Sequence, residues 1–279
     1  MKVNLAKSAG FCFGVKRALD IAFTTARSGK KVYMLGDIVH NETVVNEIRK
    51  SGVKKIERLD KVKSGILLIR AHGSSLETLT RAERFGYEII DATCPMVKEI
   101  HKLAKNAQAK GYKIIIIGDK NHDEVHGIAG QLKEKALVID KTNIPLGKIR
   151  KVRKAAVVAQ STQNLKTVLK IVEILKKYIP DLIFYNTICK PTRTKQEEIM
   201  TMPLENDVMI IIGSKESANS KRLYEISRSL NKNSRWVNSK KEIKPGWFKG
   251  AKSVGITAGA STPRETIEDI ASYIRLLPN

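Results

Sequence analysis

Short apolar runs alternate along this chain with longer stretches in which apolar and polar residues are mixed. The runs KIIIIG, VMIIIG and SVGITAG are rich in β-branched residues and predict strands. The stretches PMVKEIHKLAKNAQAKG and NLKTVLKIVEILKKY place apolar residues three and four positions apart, which predicts amphipathic helices. Because strand and helix patterns follow one another in turn, the sequence predicts an α/β protein with parallel sheets and crossover helices.

The pattern repeats three times along the chain. Each third of the chain has a cysteine and, 24 residues later, a glycine that ends an apolar run. The pairs are Cys12 and Gly36, Cys94 and Gly118, and Cys189 and Gly213. The intervals between the cysteines, 82 and 95 residues, are too long for a solenoid repeat and suit a small α/β domain. The triplication predicts three equivalent units that each deliver one thiol to a shared centre.

Polar side chains also match between the repeats. The residues four positions past the three glycines are His40, His122 and Ser217, and two positions further on come Glu42, Glu124 and Asn219. Every repeat therefore offers hydrogen-bonding groups just after an apolar run. His72 follows another apolar run, and open α/β sheets bind ligands beyond the carboxyl ends of their strands. We therefore predict a binding role for His40, His72 and His122.

Two other histidines receive a different interpretation. His101 lies inside a helix pattern, and we expect it to be solvated. His122 and His126 are four residues apart, like a zinc pair on a helix. However, Glu124 would point elsewhere, and Gly118 and Gly127 favour a loop, so the zinc interpretation is disfavoured.

Each cysteine falls where a strand pattern ends and a helix pattern begins. A helix N-terminus favours thiolate over thiol and suits an anionic cluster, and Pro95 and Pro191 fit a first helical turn. CxxC spacing is absent, which argues against a zinc ribbon. Three thiolates could hold zinc with a water molecule or be inert, but a 4Fe-4S cluster fits three soft ligands and leaves one iron open.

Composition adds a strong positive charge. The chain has 279 residues, with 51 Lys and Arg against 28 Asp and Glu, a formal net charge of +23. Such a field attracts polyanions. The basic residues are scattered, and aromatic residues make up only 5%, which weakens a stacking platform for single-stranded nucleic acid. A lysine-rich solvated surface and a small anionic substrate both remain compatible with this charge.

Cysteine usage and hydropathy predict the compartment. The apolar runs, such as Ile114 to Ile117, are far shorter than a membrane span, and the N-terminal segment lacks the apolar region of a signal peptide. An odd number of cysteines suits reduced thiols. We therefore expect a cytoplasmic protein without membrane association.

Nine ordered segments resemble a known family. They are GFCFGVKRA, VHNETVV, AHGSS, DATCP, NHDEVHG, QST, NTIC, GSKESANSKRL and TAGAST, and they extend over essentially the whole chain. The chain resembles the 4-hydroxy-3-methylbut-2-enyl diphosphate reductase family, whose members catalyse the last step of the methylerythritol phosphate route to isoprenoids.

This resemblance implies a trefoil of three pseudo-threefold-related α/β domains around a central iron-sulfur cluster. One 4Fe-4S cluster would be held by Cys12, Cys94 and Cys189, with its fourth iron open to the substrate. In that family the N-terminal strand joins the last domain. The implied domains are therefore 13–94, 95–187, and 188–279 together with strand 1–12.

The resemblance also implies the reaction. Two electrons and protons remove the terminal hydroxyl of (E)-4-hydroxy-3-methylbut-2-enyl diphosphate and yield isopentenyl and dimethylallyl diphosphate. Glu124 matches the proton source, and Ser161 and Thr162 complete its hydrogen-bond relay. Ser161 occupies a position where threonine is frequent, and Ala218 one where some members have serine. The substrate's diphosphate would be held by His40, His72, His122, Ser217, Asn219 and Ser261.

Partners follow from what the sequence lacks. No GxGxxG fingerprint and no GK[ST] loop are present, so electrons should come from a separate reduced protein, ferredoxin or flavodoxin, attracted by the basic surface. We expect a monomer that binds no nucleic acid.

The alternative hypothesis is a basic nucleic-acid-binding protein with a structural three-cysteine metal site. It predicts salt-sensitive binding to RNA or DNA and tolerance of Glu124→Gln.

Overall fold

Strands and helices alternate through the computed structural model, which describes residues 1–61, 64–140 and 144–277. Within these residues, twelve strands form three four-stranded sheets. Every pairing between neighbouring strands is parallel. The predicted α/β class with parallel sheets is therefore confirmed.

The first sheet contains β2 (Val32–Leu35), β3 (Lys54–Ile56), β4 (Gly65–Ile69) and β5 (Tyr87–Asp91), in the order β3-β2-β4-β5. The helices of this stretch are α1 (Phe13–Ala26), α2 (Glu42–Lys50) and α3 (Leu76–Arg84).

The second sheet contains β6 (Lys113–Ile117), β7 (Leu137–Ile139), β8 (Lys154–Ala159) and β9 (Asp181–Phe184), in the order β7-β6-β8-β9. Its helices are α4 (Pro95–Ala109), α5 (Asp123–Ala129), α6 (Leu146–Ile149) and α7 (Leu165–Lys176).

The third sheet contains β10 (Val208–Ile212), β11 (Ser234–Val237), β12 (Ser253–Ala258) and the N-terminal strand β1 (Lys2–Leu5). Its order is β1-β12-β10-β11. Its helices are α8 (Lys190–Glu205), α9 (Ala218–Leu230) and α10 (Arg264–Arg275), with 3-10 turns at Lys240–Glu242 and Pro245–Phe248.

The same strand order occurs three times. Each repeat contains four strands, which we number in chain order after its cysteine. Across the sheet they lie in the order second, first, third, fourth. In the third repeat, the N-terminal strand β1 takes the fourth place. Closure of the last sheet by the first strand explains why the first cysteine lies so near the N-terminus. The internal repetition predicted from the cysteine and glycine spacing is thus present in the topology.

Contacts between residues divide the described chain into two compact units. One unit comprises Met1–Val15, His40–Val45 and the stretch from Lys190, and it contains the third sheet. The other comprises Lys16–Val39 and Asn46–Cys189, and it contains the first and second sheets. The boundaries of three separate domains remain a prediction.

The central strands are buried on both faces, as parallel sheets require. Successive residues of β6 alternate between two cores, because Ile115 and Ile117 pack towards α7 whereas Ile114 and Ile116 pack towards α4 and α5. All four isoleucines are at most 1% exposed. This packing fixes the end of β6, and the polar loop that follows it, relative to α5. No helix among the described residues is long and apolar enough to cross a bilayer.

Candidate active site

The three cysteines occupy the same position in their repeats. Each lies between the fourth strand of a repeat and the helix that follows, each is half-buried, and none of the three forms a disulfide within the described part of the chain. The backbone N–H of each cysteine donates to a carbonyl two residues past the third strand; the bonds are Cys12 to Ala260 (3.1 Å), Cys94 to Ala71 (3.0 Å) and Cys189 to Ser161 (3.1 Å). The predicted junction of strand and helix is therefore confirmed for every cysteine.

The helices after the cysteines are long enough to carry a full dipole. They have 14, 15 and 16 residues. The N-terminus is the positive end of a helix dipole, and each of these N-termini follows a cysteine. Lys98, in the first turn of α4, forms an ion pair with Asp91 at 2.6 Å. Burial raises the pKa of Asp91, but the bonds from Lys98 and Thr93 outweigh it and hold that pKa below its usual value. The positive charge of Lys98 is thus shared with a neighbouring carboxylate.

Glu124 is a buried carboxyl group in the first turn of α5, and only 2% of it is exposed. Its Oε1 accepts a hydrogen bond from the Ser161 backbone N–H at 2.6 Å, and its Oε2 accepts one from the Ser161 hydroxyl at 2.8 Å. Burial raises the pKa of Glu124 to about 7, against the opposing effect of the two bonds from Ser161. A carboxyl with such a pKa is present in both protonated and ionised forms near neutral pH.

His122 caps the helix that carries Glu124. Its Nδ1 accepts a hydrogen bond from the Glu124 backbone N–H at 3.1 Å, so a neutral ring carries its proton on Nε2. The rings of His72 and His122 meet edge to face, with centroids 5.4 Å apart. The loop predicted for this segment was wrong: residues Asp123–Ala129 form helix α5, with His122 as its N-cap.

Gly127, one of the two glycines that suggested a loop, instead permits close packing of α5, as does Gly130. A Cβ on Gly127 would lie 3.1 Å from the His72 carbonyl oxygen, and one on Gly130 would lie 2.2 Å from the Ser75 Cβ. The Gly130 carbonyl also accepts the Leu76 N–H at 3.0 Å. Close approach at both glycines fixes α5 against the loop that carries His72.

The prediction that His101 is solvated was wrong. Only 8% of His101 is exposed, and burial lowers its pKa to about 4, which keeps the ring neutral at physiological pH. A Cβ on Gly73 would lie 2.7 Å from the His101 Cε1, so the ring packs directly behind the loop that carries His72. Helical spacing could not reveal this contact, because the loop belongs to the first sheet and His101 to α4.

Thr162 and its neighbours form a second short network. The Thr162 hydroxyl accepts a hydrogen bond from Gln160 Nε2 at 3.1 Å, and Gln160 Oε1 accepts one from the Asp119 backbone N–H at 2.9 Å. Gln160 is fully buried. Its amide therefore connects the loop after β8, which carries Ser161, with the loop after β6, which leads into α5 and Glu124.

Four of the predicted binding residues lie in the unit that contains the third sheet. Ser217 caps α9, with its hydroxyl accepting the Ser220 N–H at 3.3 Å, and the Ser261 hydroxyl donates to the His40 carbonyl at 3.1 Å. Asn219 is 4% exposed, and among the described residues its Nδ2 has no hydrogen-bond partner. A buried amide donor without a partner is costly unless a ligand or water satisfies it.

Sequence reasoning missed Lys195. This residue of α8 is 2% exposed, and its Nζ donates hydrogen bonds to the carbonyls of Ser8 and Ala258, the latter at 3.1 Å. Burial lowers its pKa to about 8, although the nearby Cys12 and Glu198 favour the charged form. Lys195 thus anchors the segment before Cys12 to the end of β12. The sequence offered one clue to this residue, which is that Lys195 lies six residues after Cys189.

Comparison with known proteins identifies the family. The family model described as LytB protein matches residues 3–275, nearly the whole chain. This chain belongs to the LytB family. LytB family members similar to it include 4-hydroxy-3-methylbut-2-enyl diphosphate reductases of Geobacter metallireducens (40% identity over 99% of this chain and 97% of the relative) and Aquifex aeolicus (39% over 98% and 96%).

Solved structures of LytB family proteins agree. A structure of (E)-4-hydroxy-3-methyl-but-2-enyl diphosphate reductase, described as the terminal enzyme of the non-mevalonate pathway, is 39% identical, covers 99% of both chains and has a TM-score of 0.72. The reductase from Plasmodium falciparum is 28% identical over 100% of this chain and 88% of that chain, with a TM-score of 0.90. The family resemblance found in the sequence is thereby confirmed, and the relatives favour a reductase over a nucleic-acid-binding protein.

Proposed function

We propose that this chain reduces (E)-4-hydroxy-3-methylbut-2-enyl diphosphate to isopentenyl and dimethylallyl diphosphate. In the overall reaction the carbon–oxygen bond to the terminal hydroxyl breaks, a carbon–hydrogen bond forms and the oxygen leaves as water. Two electrons and two protons balance each turnover. The relatives with this activity match the chain over nearly its full length, and the structural observation that carries the proposal is the buried carboxyl of Glu124.

Cys12, Cys94 and Cys189 are the proposed ligands of an iron-sulfur cluster. The residues fit such a group, because the three cysteines are in no disulfide among the described residues, have equivalent backbone hydrogen bonds and precede helix N-termini that favour anionic sulfur. When bound, a 4Fe-4S cluster with an open iron supplies electrons to the substrate. A reducing compartment such as the cytoplasm would keep the thiols available.

Glu124 is the proposed proton donor. With a pKa of about 7, the carboxyl is protonated often enough near neutral pH to act as a general acid, and it can regain its proton between turnovers. The two hydrogen bonds from Ser161 hold both carboxyl oxygens in place. An ordinary solvated glutamate would be almost entirely ionised at this pH and would lack a proton to give.

The diphosphate of the substrate is the proposed ligand of six polar residues. Imidazole N–H, hydroxyl and amide groups donate hydrogen bonds to phosphate oxygens. The Nε2–H of His122 and the unpartnered Nδ2 of Asn219 are donors suited to this role. The complete proposed set is His40, His72, His122, Ser217, Asn219 and Ser261.

We also propose that the enzyme is a monomer that receives electrons from a separate reduced protein, ferredoxin or flavodoxin. The sequence has no dinucleotide-binding fingerprint. The net charge of +23 would accelerate encounter with an acidic donor at low salt.

Anaerobic purification followed by iron and sulfide analysis tests this function together with turnover. Because three cysteine ligands suit one 4Fe-4S cluster, we expect about four irons per chain. A reduced viologen dye should be oxidised only when the diphosphate substrate is present. Cys94→Ser should lose the cluster and all turnover. Zinc or no metal in the wild-type protein, with no turnover, would contradict the proposal.

A further inference from the structure

A groove lined in part by Thr93, the residue before Cys94, lies outside the proposed catalytic residues. It has a volume of about 540 Å³ and runs along α4 in the unit that contains the first and second sheets. One wall is formed by α4, and the other by the loop and first turn of α3, including Ser74 and Leu79. Gln131, whose side chain donates to the Ser74 carbonyl at 2.8 Å, also lines it.

The charge of this groove is positive. Lys98, Lys102 and Lys105 all line it, and their spacing of four and three residues places them on one face of α4. Among the described residues that line the groove, Asp91 is the one acid, and it pairs with Lys98. Lys102 and Lys105 are exposed. Two lysines therefore remain to attract an acidic partner.

The groove is lined by residues that immediately precede Cys94, a proposed cluster ligand. Asp91 and Thr93 line it, Thr93 directly precedes Cys94, and α4 begins at the next residue, Pro95. A redox group held over this groove would lie close to a residue that we propose as a ligand of the electron-accepting cluster. Electron transfer between proteins becomes much slower as the separation increases, so a docking surface must lie near such a ligand.

We infer that this groove is the docking surface for the protein that delivers electrons, a small acidic electron carrier of the ferredoxin or flavodoxin type. The inference rests on the proposed function, because only a reductase needs such a carrier. Carboxylates around the carrier's redox group would face Lys102 and Lys105 and orient it towards Cys94. Encounter between opposite charges raises association rates and is weakened by salt.

Charge reversal on α4 tests the inference. In the cluster-containing Lys102→Glu/Lys105→Glu variant, turnover driven by reduced ferredoxin or flavodoxin at low salt should show a kcat/KM for the carrier that is lower by about tenfold or more. The salt dependence of that kcat/KM should weaken as well. Lys98 is left unchanged because its ion pair with Asp91 lies beside Cys94.

A matched variant separates docking from total charge. Lys170→Glu/Lys177→Glu removes the same charge from exposed positions on and just after α7, a helix that does not follow a cysteine. This variant should retain a kcat/KM for the carrier within about twofold of wild type. Equal losses in the two variants, or no loss in the α4 variant, would overturn the inference.

Turnover with a viologen dye separates this inference from the proposed function. The dye needs no protein docking surface, so the α4 variant should keep its dye-driven rate. A wild-type enzyme that fails with the dye contradicts the function itself. A loss of dye-driven turnover in the α4 variant alone would assign these lysines to the site and not to docking, and would overturn the inference.

Discussion

Glu42 and Glu124 occupy matched positions in the first and second repeats, six residues past Gly36 and Gly118, yet their surroundings differ. Glu42 is exposed at the start of α2. Glu124 is buried, and burial raises its pKa to about 7. The same residue type at the same place in a repeat is therefore an exposed side chain in one case and a candidate acid in the other.

The loop after the third strand also differs between these two repeats. The carbonyl that receives the cysteine N–H belongs to Ala71 in the first repeat and to Ser161 in the second. Ser161 adds a hydroxyl that bonds Glu124, whereas alanine has no such group. Burial thus raises the pKa of Glu124 while the Ser161 hydroxyl opposes that rise, and position in the repeat alone does not set the pKa of this carboxyl group.

Exchange of each glutamate for glutamine gives the largest expected difference. Glu124→Gln should keep the cluster and lower kcat by roughly 10²- to 10⁴-fold, because the amide cannot donate a proton in the same way. Glu42→Gln should stay within about twofold of wild type. Initial rates with reduced dye and a visible spectrum of each variant provide the measurement. Near-normal turnover of the Glu124 variant would exclude its role as the acid.

The pH dependence of stability should also separate the two residues. The pKa of Glu124 rises from 4.5 to about 7 on folding, so between these pH values the unfolded chain ionises first and the folded state loses stability. As pH increases from 4 to 8, this effect should lower the free energy of unfolding of the wild type by about 3 kcal/mol. Glu124→Gln lacks the titrating group, so its free energy of unfolding should rise by that amount relative to the wild type. Denaturant unfolding of both glutamine variants at several pH values measures this. A gain of equal size for Glu42→Gln would contradict the comparison.

Removal of the Ser161 hydroxyl should have a smaller effect. Ser161→Ala deletes a hydrogen bond that stabilises ionised Glu124, so the pKa of Glu124 should rise further. The decline of kcat at high pH should then move upwards by roughly one pH unit. Ser161→Thr keeps the hydroxyl and should leave the pH–rate profile near that of wild type. A profile unchanged by the alanine substitution would show that the hydroxyl does not set this pKa.

Local sequence patterns predicted much of the fold because each repeat encodes its own strands and helices. The apolar runs that include Ile114 to Ile117 became central strands buried on both faces. Strand β3 was not among the predicted runs, because Lys54 and Lys55 make its sequence look polar and it forms the edge of its sheet.

The site was predicted less completely because its environment comes from packing between repeats. Gly118 and Gly127 suggested a loop, yet Gly127 is needed, together with Gly130, where α5 contacts His72 and Ser75. The burial of His101 and Lys195 likewise depends on segments distant in sequence. Periodicity within one element cannot report such contacts, so sequence reasoning proposed donor groups and missed the contacts of His101 and Lys195.

Direct titration of the Glu124 carboxyl tests the central claim that burial makes this residue the acid. Infrared difference spectra of wild type minus Glu124→Gln, recorded from pH 5 to 9, should show a protonated carboxyl band that falls to half its height near pH 7. The Glu124 band should persist unchanged in the Glu42→Gln protein, which serves as the control. A Glu124 carboxyl that is already fully ionised at pH 5 would contradict the account.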